Sequence, residues 1–157
     1  MSTSELATLR LEHTFAATPE EVFDAWTNAE VLQRWWGPGP SWTSPGCDLD
    51  LRVGGSYELR MRDGATGEIH AVGGEYREVV RPHRLVYTWR WQGDDGPNPG
   101  HVSLVTVEFH AAGEATTVVL EHSGLPSQES RRRHGDGWRG SFANLAERIF
   151  GDGAADR

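Results

Sequence analysis

The stretch over residues 128–150 constrains the rest of the chain most. Trp138, Phe142, Leu145 and Ile149 follow one another at spacings of four, three and four, which places them on one face of a 3.6-residue helix. Arg139, Asn144, Glu147 and Arg148 project to other sides. Ser127, just after Pro126, is placed as the N-cap. A helix with one apolar face must bury it, and the chain before it reads mostly as strands. One long helix laid across a curved antiparallel sheet is the economical arrangement. Followed upstream, the same face runs through Gly135, His134 and Arg131, which are small or polar. Two arrangements fit that pattern. Either the first turns run past the sheet into water, or they lid a cavity, with Gly135 leaving room and His134 or Arg131 at its mouth.

The preceding chain supplies the sheet. Residues 7–15 alternate, with Leu9, Leu11, His13 and Phe15 on one side, and predict a first strand. In Thr18-Pro19-Glu20-Glu21, Thr18 is set to cap a helix, Pro19 suits its first position and Glu21 can reach back as the capping-box partner. Val22, Phe23, Ala25 and Trp26 make that helix amphipathic, and Asn28 is placed to cap a second one over residues 29–36, ended by Gly37 and Pro38. Gly37-Pro38-Gly39-Pro40 is loop.

From Ser41 onward the period changes to two. A strand is expected over residues 42–51, with Pro45-Gly46 as a bulge or edge feature. Tyr57, Leu59 and Met61 share one side of the next strand, and His70, Val72, Gly74 and Tyr76 one side of another. Leu85, Tyr87, Trp89 and Trp91 do the same, as do Ser103, Val105, Val107 and Phe109, and then Thr116, Val118, Leu120 and His122. Gly54-Gly55, Asp63-Gly64, the polar run 93–100 and Ala112-Gly113-Glu114 separate them. The expected chain is α+β: an antiparallel sheet of about seven strands, two short helices between strands 1 and 2, and the long C-terminal helix. The helix is expected to be the only cover of the sheet's apolar face, with the other face wet.

A length of 157 residues fits one domain, with its core over about residues 9–150. A formal charge of −8 argues against a nucleic-acid partner, which requires a basic face. The one basic run, Arg131-Arg132-Arg133, reads as a solvated helix face, with Glu129 set to pair with Arg133. Cys47 is the only cysteine, so no intrachain disulfide can form, which suits a reducing cytoplasm. No apolar run is long enough to act as a signal peptide or to span a membrane. The expectation is a cytoplasmic monomer or homodimer with neither a membrane nor a nucleic acid as partner.

The chemical motifs are few. Gly135-Asp136-Gly137-Trp138-Arg139-Gly140 matches G-x-G-x-x-G, but it follows no strand and sits inside a helix, so it is not a dinucleotide site. The seven histidines form no metal motif, and one cysteine cannot build a thiolate centre. No serine occupies a G-x-S-x-G elbow. Asp50 and Arg52 read as a structural pair before the Gly54-Gly55 turn. His70 and His122 project to the apolar face of their strands; convergence of the two would permit acid–base chemistry.

Specific stretches carry a resemblance. Ala17-Thr18-Pro19-Glu20-Glu21-Val22-Phe23-Asp24-Ala25-Trp26-Thr27 resembles the opening of the START-like, or SRPBCC, superfamily. Trp35-Trp36-Gly37-Pro38, Asp50-Leu51-Arg52-Val53-Gly54-Gly55, Leu85-Val86-Tyr87-Thr88-Trp89 and Gly137-Trp138 resemble one branch of it. That branch is the family similar to the C-terminal domain of the activator of the heat-shock protein 90 ATPase. The resemblance runs from about Leu9 to Ile149 and implies a helix-grip fold with a deep cavity between sheet and helix. In the superfamily such cavities often take hydrophobic ligands, and some members are cyclases or hydrolases.

The expected site is therefore the concave face. The strands contribute Tyr57, Met61, His70 and Tyr76, then Tyr87, Trp89 and Trp91, then Val107 and His122. The helix contributes His134, Gly135, Trp138 and Phe142. Aromatic rings present wide apolar walls with polar tips that orient a ligand. Trp35, Trp36 and Trp42 flank the Pro-rich loop and are expected at an entrance or on a dimer surface. The expected ligand is a small apolar or aromatic molecule, bound without cofactor or metal, in a regulatory or stress-related role. Cyclase or hydrolase chemistry in the same cavity is the alternative, and a co-chaperone-like interaction module is a second.

Overall fold

The computed structural model describes residues 6–151. Its elements are β1 (Ala7–Phe15), α1 (Pro19–Thr27), α2 (Ala29–Trp35), β2 (Trp42–Leu49), β3 (Ser56–Asp63), β4 (Ile69–Val80), β5 (Arg84–Trp91), β6 (Ser103–Ala112), β7 (Ala115–Leu125) and α3 (Gln128–Arg148). The strands form one antiparallel sheet in the order β1-β7-β6-β5-β4-β3-β2. Strands β2 to β7 are a meander, while β1 pairs with β7 at the opposite edge from β2. The chain therefore has to cross the sheet between β1 and β2, and α1 and α2 make that crossing. This is the helix-grip arrangement.

Local chemistry sets the boundaries. Thr18 and Glu21 close a reciprocal capping box, with Glu21 N–H donating to Thr18 Oγ1 at 3.2 Å and Thr18 N–H donating to Glu21 Oε1 at 2.9 Å. Asn28 Oδ1 accepts from Glu30 N–H at 3.0 Å, and Ser127 Oγ accepts from Ser130 N–H at 3.0 Å. Each such cap is worth about 1 kcal/mol. The register of β2 against β3 shifts between Thr43 and Gly46, where Pro45 cannot donate to the ladder. Strand β2 ends at Leu49, two residues before the expected end, because Asp50 N–H already turns back to Ser56 O. The Arg52 guanidinium lies on the Asp50 carboxylate at 3.0 Å in that turn.

The sheet's alternation appears as burial. Leu85, Tyr87, Trp89 and Trp91 of β5 are all buried, as are Thr116, Val118, Leu120 and His122 of β7. Three expectations need correction. First, α3 does not cover the concave face alone. Val22, Phe23, Trp26, Leu32 and Trp35 of the short helices are buried against it, and the Trp26 ring meets Trp35, Phe109 and Phe142 at centroid distances of 5.0, 5.6 and 5.8 Å. Trp35 is thus a core residue, with its indole N–H donating to Ala25 O at 3.0 Å, and lies at neither an entrance nor a surface.

Second, Asn144 is buried, because α3 has two packed faces. The second face grips the loop after α2. Ser141 Oγ donates to Gly37 O at 2.8 Å, and Asn144 Nδ2 donates to Gly37 O and Gly39 O at 3.1 and 2.8 Å. Arg148 donates to Pro40 O and Trp42 O at 2.9 and 3.1 Å. Gly140 makes this approach possible: a Cβ there would stand 1.7 Å from Pro38 O. Third, Glu129 pairs with Arg132 at 2.9 Å rather than with Arg133, one residue off the expected register of the turn.

Candidate functional site

The N-terminal half of α3 stays against the sheet and does not run into water, since Ser130, His134 and Gly135 are buried. Arg131 is exposed, and its Nε donates to Thr8 O at 2.9 Å. Between this half of α3, the sheet around β3 to β5, the Gly37–Pro40 loop and the 92–100 loop lies a cleft of about 440 Å³. Five tryptophans line it: Trp36, Trp42, Trp89, Trp91 and Trp138.

The expected site residues divide into groups. Met61, His70, Trp89, Trp91, His134 and Trp138 line the cleft. Tyr57, Tyr76 and Tyr87 surround a separate space of only about 10 Å³ together with Trp26, Leu32 and Trp36. Their rings meet tilted or edge-to-face at centroid distances of 5.2–6.1 Å and fill that end of the concave face. Burial pushes all three phenols above their usual range, so they stay neutral. Val107 and Phe142 are packed in the core. His122 is fully buried beside Trp89 and Trp138 and does not line the cleft. Gly135 does not line it either: a Cβ there would face the Arg139 guanidinium at 3.4 Å. The glycine that opens the space is Gly137, whose Cβ direction leads to Pro38 Cβ at 3.8 Å.

Two buried histidines hold the wall together. Trp91 Nε1–H donates to His134 Nε2 at 3.0 Å. An indole nitrogen only donates, so this nitrogen of His134 is unprotonated and Nδ1 carries the hydrogen. Nδ1 donates to Ser130 O at 2.9 Å. By the same logic Trp138 Nε1–H donates to His122 Nδ1 at 3.1 Å, and His122 Nε2–H faces Ser103 Oγ at 2.8 Å. The two imidazoles are 4.8 Å apart, centroid to centroid. Burial holds His122 well below the usual histidine range, with His134 adding to the shift. Burial also lowers His134, with Arg133 and His101 adding to it and the Ser130 carbonyl opposing. The histidines that converge are thus His122 and His134, not His70 and His122. Both ring nitrogens of each are engaged, so neither is free to exchange a proton with a bound molecule.

His70 stands at the other side of the cleft. Its Nδ1 is 3.2 Å from Asp95 Oδ1, and its Nε2 is 3.6 Å from Glu68 Oε1. Asp95 Oδ2 accepts from Ala71 N–H at 2.9 Å, which ties the 92–100 loop to β4. Gly96, at φ +61°, lies directly on Trp91, where a Cβ would come within 2.1 Å of the indole. This loop therefore adds Asp94, Gly96 and Pro97 to the lining, with Arg133 and Ser141 contributed by α3. A loop residue carries no periodic signal, whereas Arg133 and Gly137 stand in visible motifs. Among the described residues, no cluster of three His, Cys, Asp or Glu side chains is set to hold a metal ion. No helix of the described residues is long and apolar enough to cross a membrane.

Residues 16–149 match the model of the family described as Activator of Hsp90 ATPase homolog 1-like protein. A human protein, the activator of 90 kDa heat shock protein ATPase homolog 1, is 27% identical over 146 residues, covering 93% of this chain and 38% of its own length. The chain thus spans well under half of the curated relatives it matches. Among solved structures, an AHSA1 protein from Silicibacter pomeroyi is 33% identical with a TM-score of 0.78, covering 90% of this chain and 96% of that one. A protein from Chromobacterium violaceum is 30% identical with a TM-score of 0.76, covering 89% and 94%.

Proposed function

This chain belongs to the Activator of Hsp90 ATPase homolog 1-like family, and we propose that it acts there as a binding domain for a small apolar or aromatic molecule. The observation that carries this is the cleft of about 440 Å³ walled by five tryptophans. That volume falls within the roughly 300–1,000 Å³ of small-molecule pockets. Rings on several sides give a flat apolar ligand contact area at little entropic cost, since the walls are already fixed by packing and by the Trp91–His134 and Trp138–His122 hydrogen bonds. A regulatory role, a cytoplasmic location and a monomeric or homodimeric state belong to the same reading.

The cyclase or hydrolase alternative has one candidate base, His70 oriented by Asp95, because His122 and His134 are fully engaged. The curated relatives are named as activators of a heat-shock ATPase, and this chain spans about 38% of the human one, so a co-chaperone role is the remaining reading. The burial of Trp35 and Trp36 leaves it without the exposed tryptophan patch it would use.

Titration with 1-N-phenylnaphthylamine, an uncharged apolar fluorophore, tests the binding reading. Saturable one-to-one binding with quenching of the cleft tryptophans is expected. Absence of saturable binding contradicts it. Turnover of activated esters that disappears in His70→Gln while the dye still binds would replace it with the enzyme reading.

A further inference from the structure

The polar groups of the cleft divide unevenly. Trp91 and Trp138 spend their indole N–H groups on histidines, and Ser141 spends its hydroxyl on Gly37 O. His134 has both nitrogens engaged. The wall therefore has no donor left at those positions. Trp36 and Trp89 are different: both line the cleft, both are 3% exposed, and their Nε1 atoms are buried with no hydrogen-bond partner. A buried donor without an acceptor is costly, and a native structure normally supplies one.

The charges show the same imbalance. In Arg131-Arg132-Arg133, Arg131 is spent on Thr8 O, and Arg132 is spent on Glu129 and Asp136. Arg133 is the arginine that lines the cleft, and none of the ion pairs of the described residues includes it. Among the described residues it is the only Lys or Arg side chain in the lining. The one acid there, Asp94, is exposed on the 92–100 loop, as Arg133 is on α3, and water reaches both. The polar groups in and around the wall that no protein group matches are thus two enclosed indole N–H donors and the solvent-facing Arg133 guanidinium, against the single carboxylate of Asp94.

We propose that the cleft's ligand is a flat aromatic acid, its ring system held among the tryptophans and its carboxylate or sulfonate directed to Arg133. This rests on the binding reading above and adds the ligand's charge to it. The chain as a whole carries −8 and disfavours anions at long range, so a preference for one has to come from this local group.

A matched pair of dyes tests the charge. The anion 1-anilinonaphthalene-8-sulfonate and the neutral 1-N-phenylnaphthylamine share one aromatic skeleton. The wild type is expected to bind the anion more tightly. Arg133→Gln is expected to weaken the anion by about threefold to tenfold, as for a charge-assisted hydrogen bond at a partly exposed site, while leaving the neutral dye unchanged. Arg132→Gln, whose arginine is held by Glu129 and Asp136, is expected to change neither dye. Equal binding of the two dyes by the wild type overturns the charge inference and leaves the binding reading standing. Equal weakening of both dyes by Arg133→Gln, or loss of the anion in Arg132→Gln as well, also overturns it. Failure of both dyes to bind the wild type overturns the binding reading and this inference together.

Discussion

The concave face of the sheet has two ends, both lined with aromatic rings, and only one of them is open. At the closed end Tyr57, Tyr76 and Tyr87 meet Trp26, Leu32 and Trp36 around about 10 Å³. At the open end Trp36, Trp42, Trp89, Trp91 and Trp138 stand around about 440 Å³. Ring content does not distinguish them; what lies opposite the sheet does. Over the closed end α1 and α2 insert whole side chains, with Trp26 and Trp35 buried at 3% and 0% exposure. Over the open end α3 presents Gly137, and the chain opposite is the Gly37–Pro40 loop, too short in side chains to fill the gap. An aromatic face becomes a core or a cleft according to whether the covering element brings bulk to it.

The largest effect is expected from breaking the seam that frames the open end. Gly140→Ala puts a Cβ 1.7 Å from Pro38 O, a backbone atom that cannot swing aside. A loss of at least about 3 kcal/mol is expected in urea denaturation, at or beyond the upper range for overpacking. A loss below about 1 kcal/mol would mean that the loop yields freely and does not frame the cleft.

Next comes truncation at the two ends. Trp26→Ala, in the closed end, is expected to cost roughly 3–5 kcal/mol, as large aromatic deletions in cores do. Trp42→Ala, at the half-buried rim of the open end, is expected to cost under about 1.5 kcal/mol and to weaken binding of a neutral dye instead. Equal stability losses would erase the distinction between core and cleft.

A smaller effect separates the seam's hydrogen bonds from its shape. Asn144→Ala removes the side-chain donor to Gly39 O and one of the two to Gly37 O, which keeps Ser141, and a loss of about 1–3 kcal/mol is expected. Calorimetry against the wild type measures it, and an unchanged unfolding temperature would contradict the role.

Acid should act through the two buried histidines behind the open end. His122 and His134 have folded-state values depressed below the unfolded one, which is near 6.5. Their contribution is therefore complete above about pH 6.5 and lost as the pH falls below it, because the unfolded chain then binds protons that the folded chain refuses. The slope approaches about 1.4 kcal/mol per pH unit for each histidine. Denaturation at a series of pH values from 8 to 5 measures it, and His122→Gln should flatten the slope. A stability independent of pH below 6.5 would mean that the buried imidazoles are reached by protons without cost.

The sequence made the sheet legible because alternation needs only one fact, that one side of each strand is buried. Leu85, Tyr87, Trp89 and Trp91 carried that fact without ambiguity. The caps at Thr18, Asn28 and Ser127 were legible for the same reason, since each is chemistry within three residues. The site was legible in its rings and not in its space. A helical projection assumes one partner, and α3 has two, the sheet and the Gly37–Pro40 loop. That is why Asn144 was placed on an outer side and why Gly135, rather than Gly137, was expected to make room. Which rings pack and which stand open depended on where the β1-to-β2 crossing runs, a long-range fact that no local spacing encodes.

Ligand binding in the cleft requires the space beside Gly137 to stay open. Gly137→Leu tests it, because leucine is about 1 kcal/mol better than glycine in a helix and the first contact it meets, Pro38 Cβ at 3.8 Å, is ordinary packing. A folded variant is expected, at least as stable as the wild type, that binds 1-N-phenylnaphthylamine at least tenfold more weakly, a change of about 1.4 kcal/mol. A folded Gly137→Leu protein with undiminished affinity for the dye would contradict it.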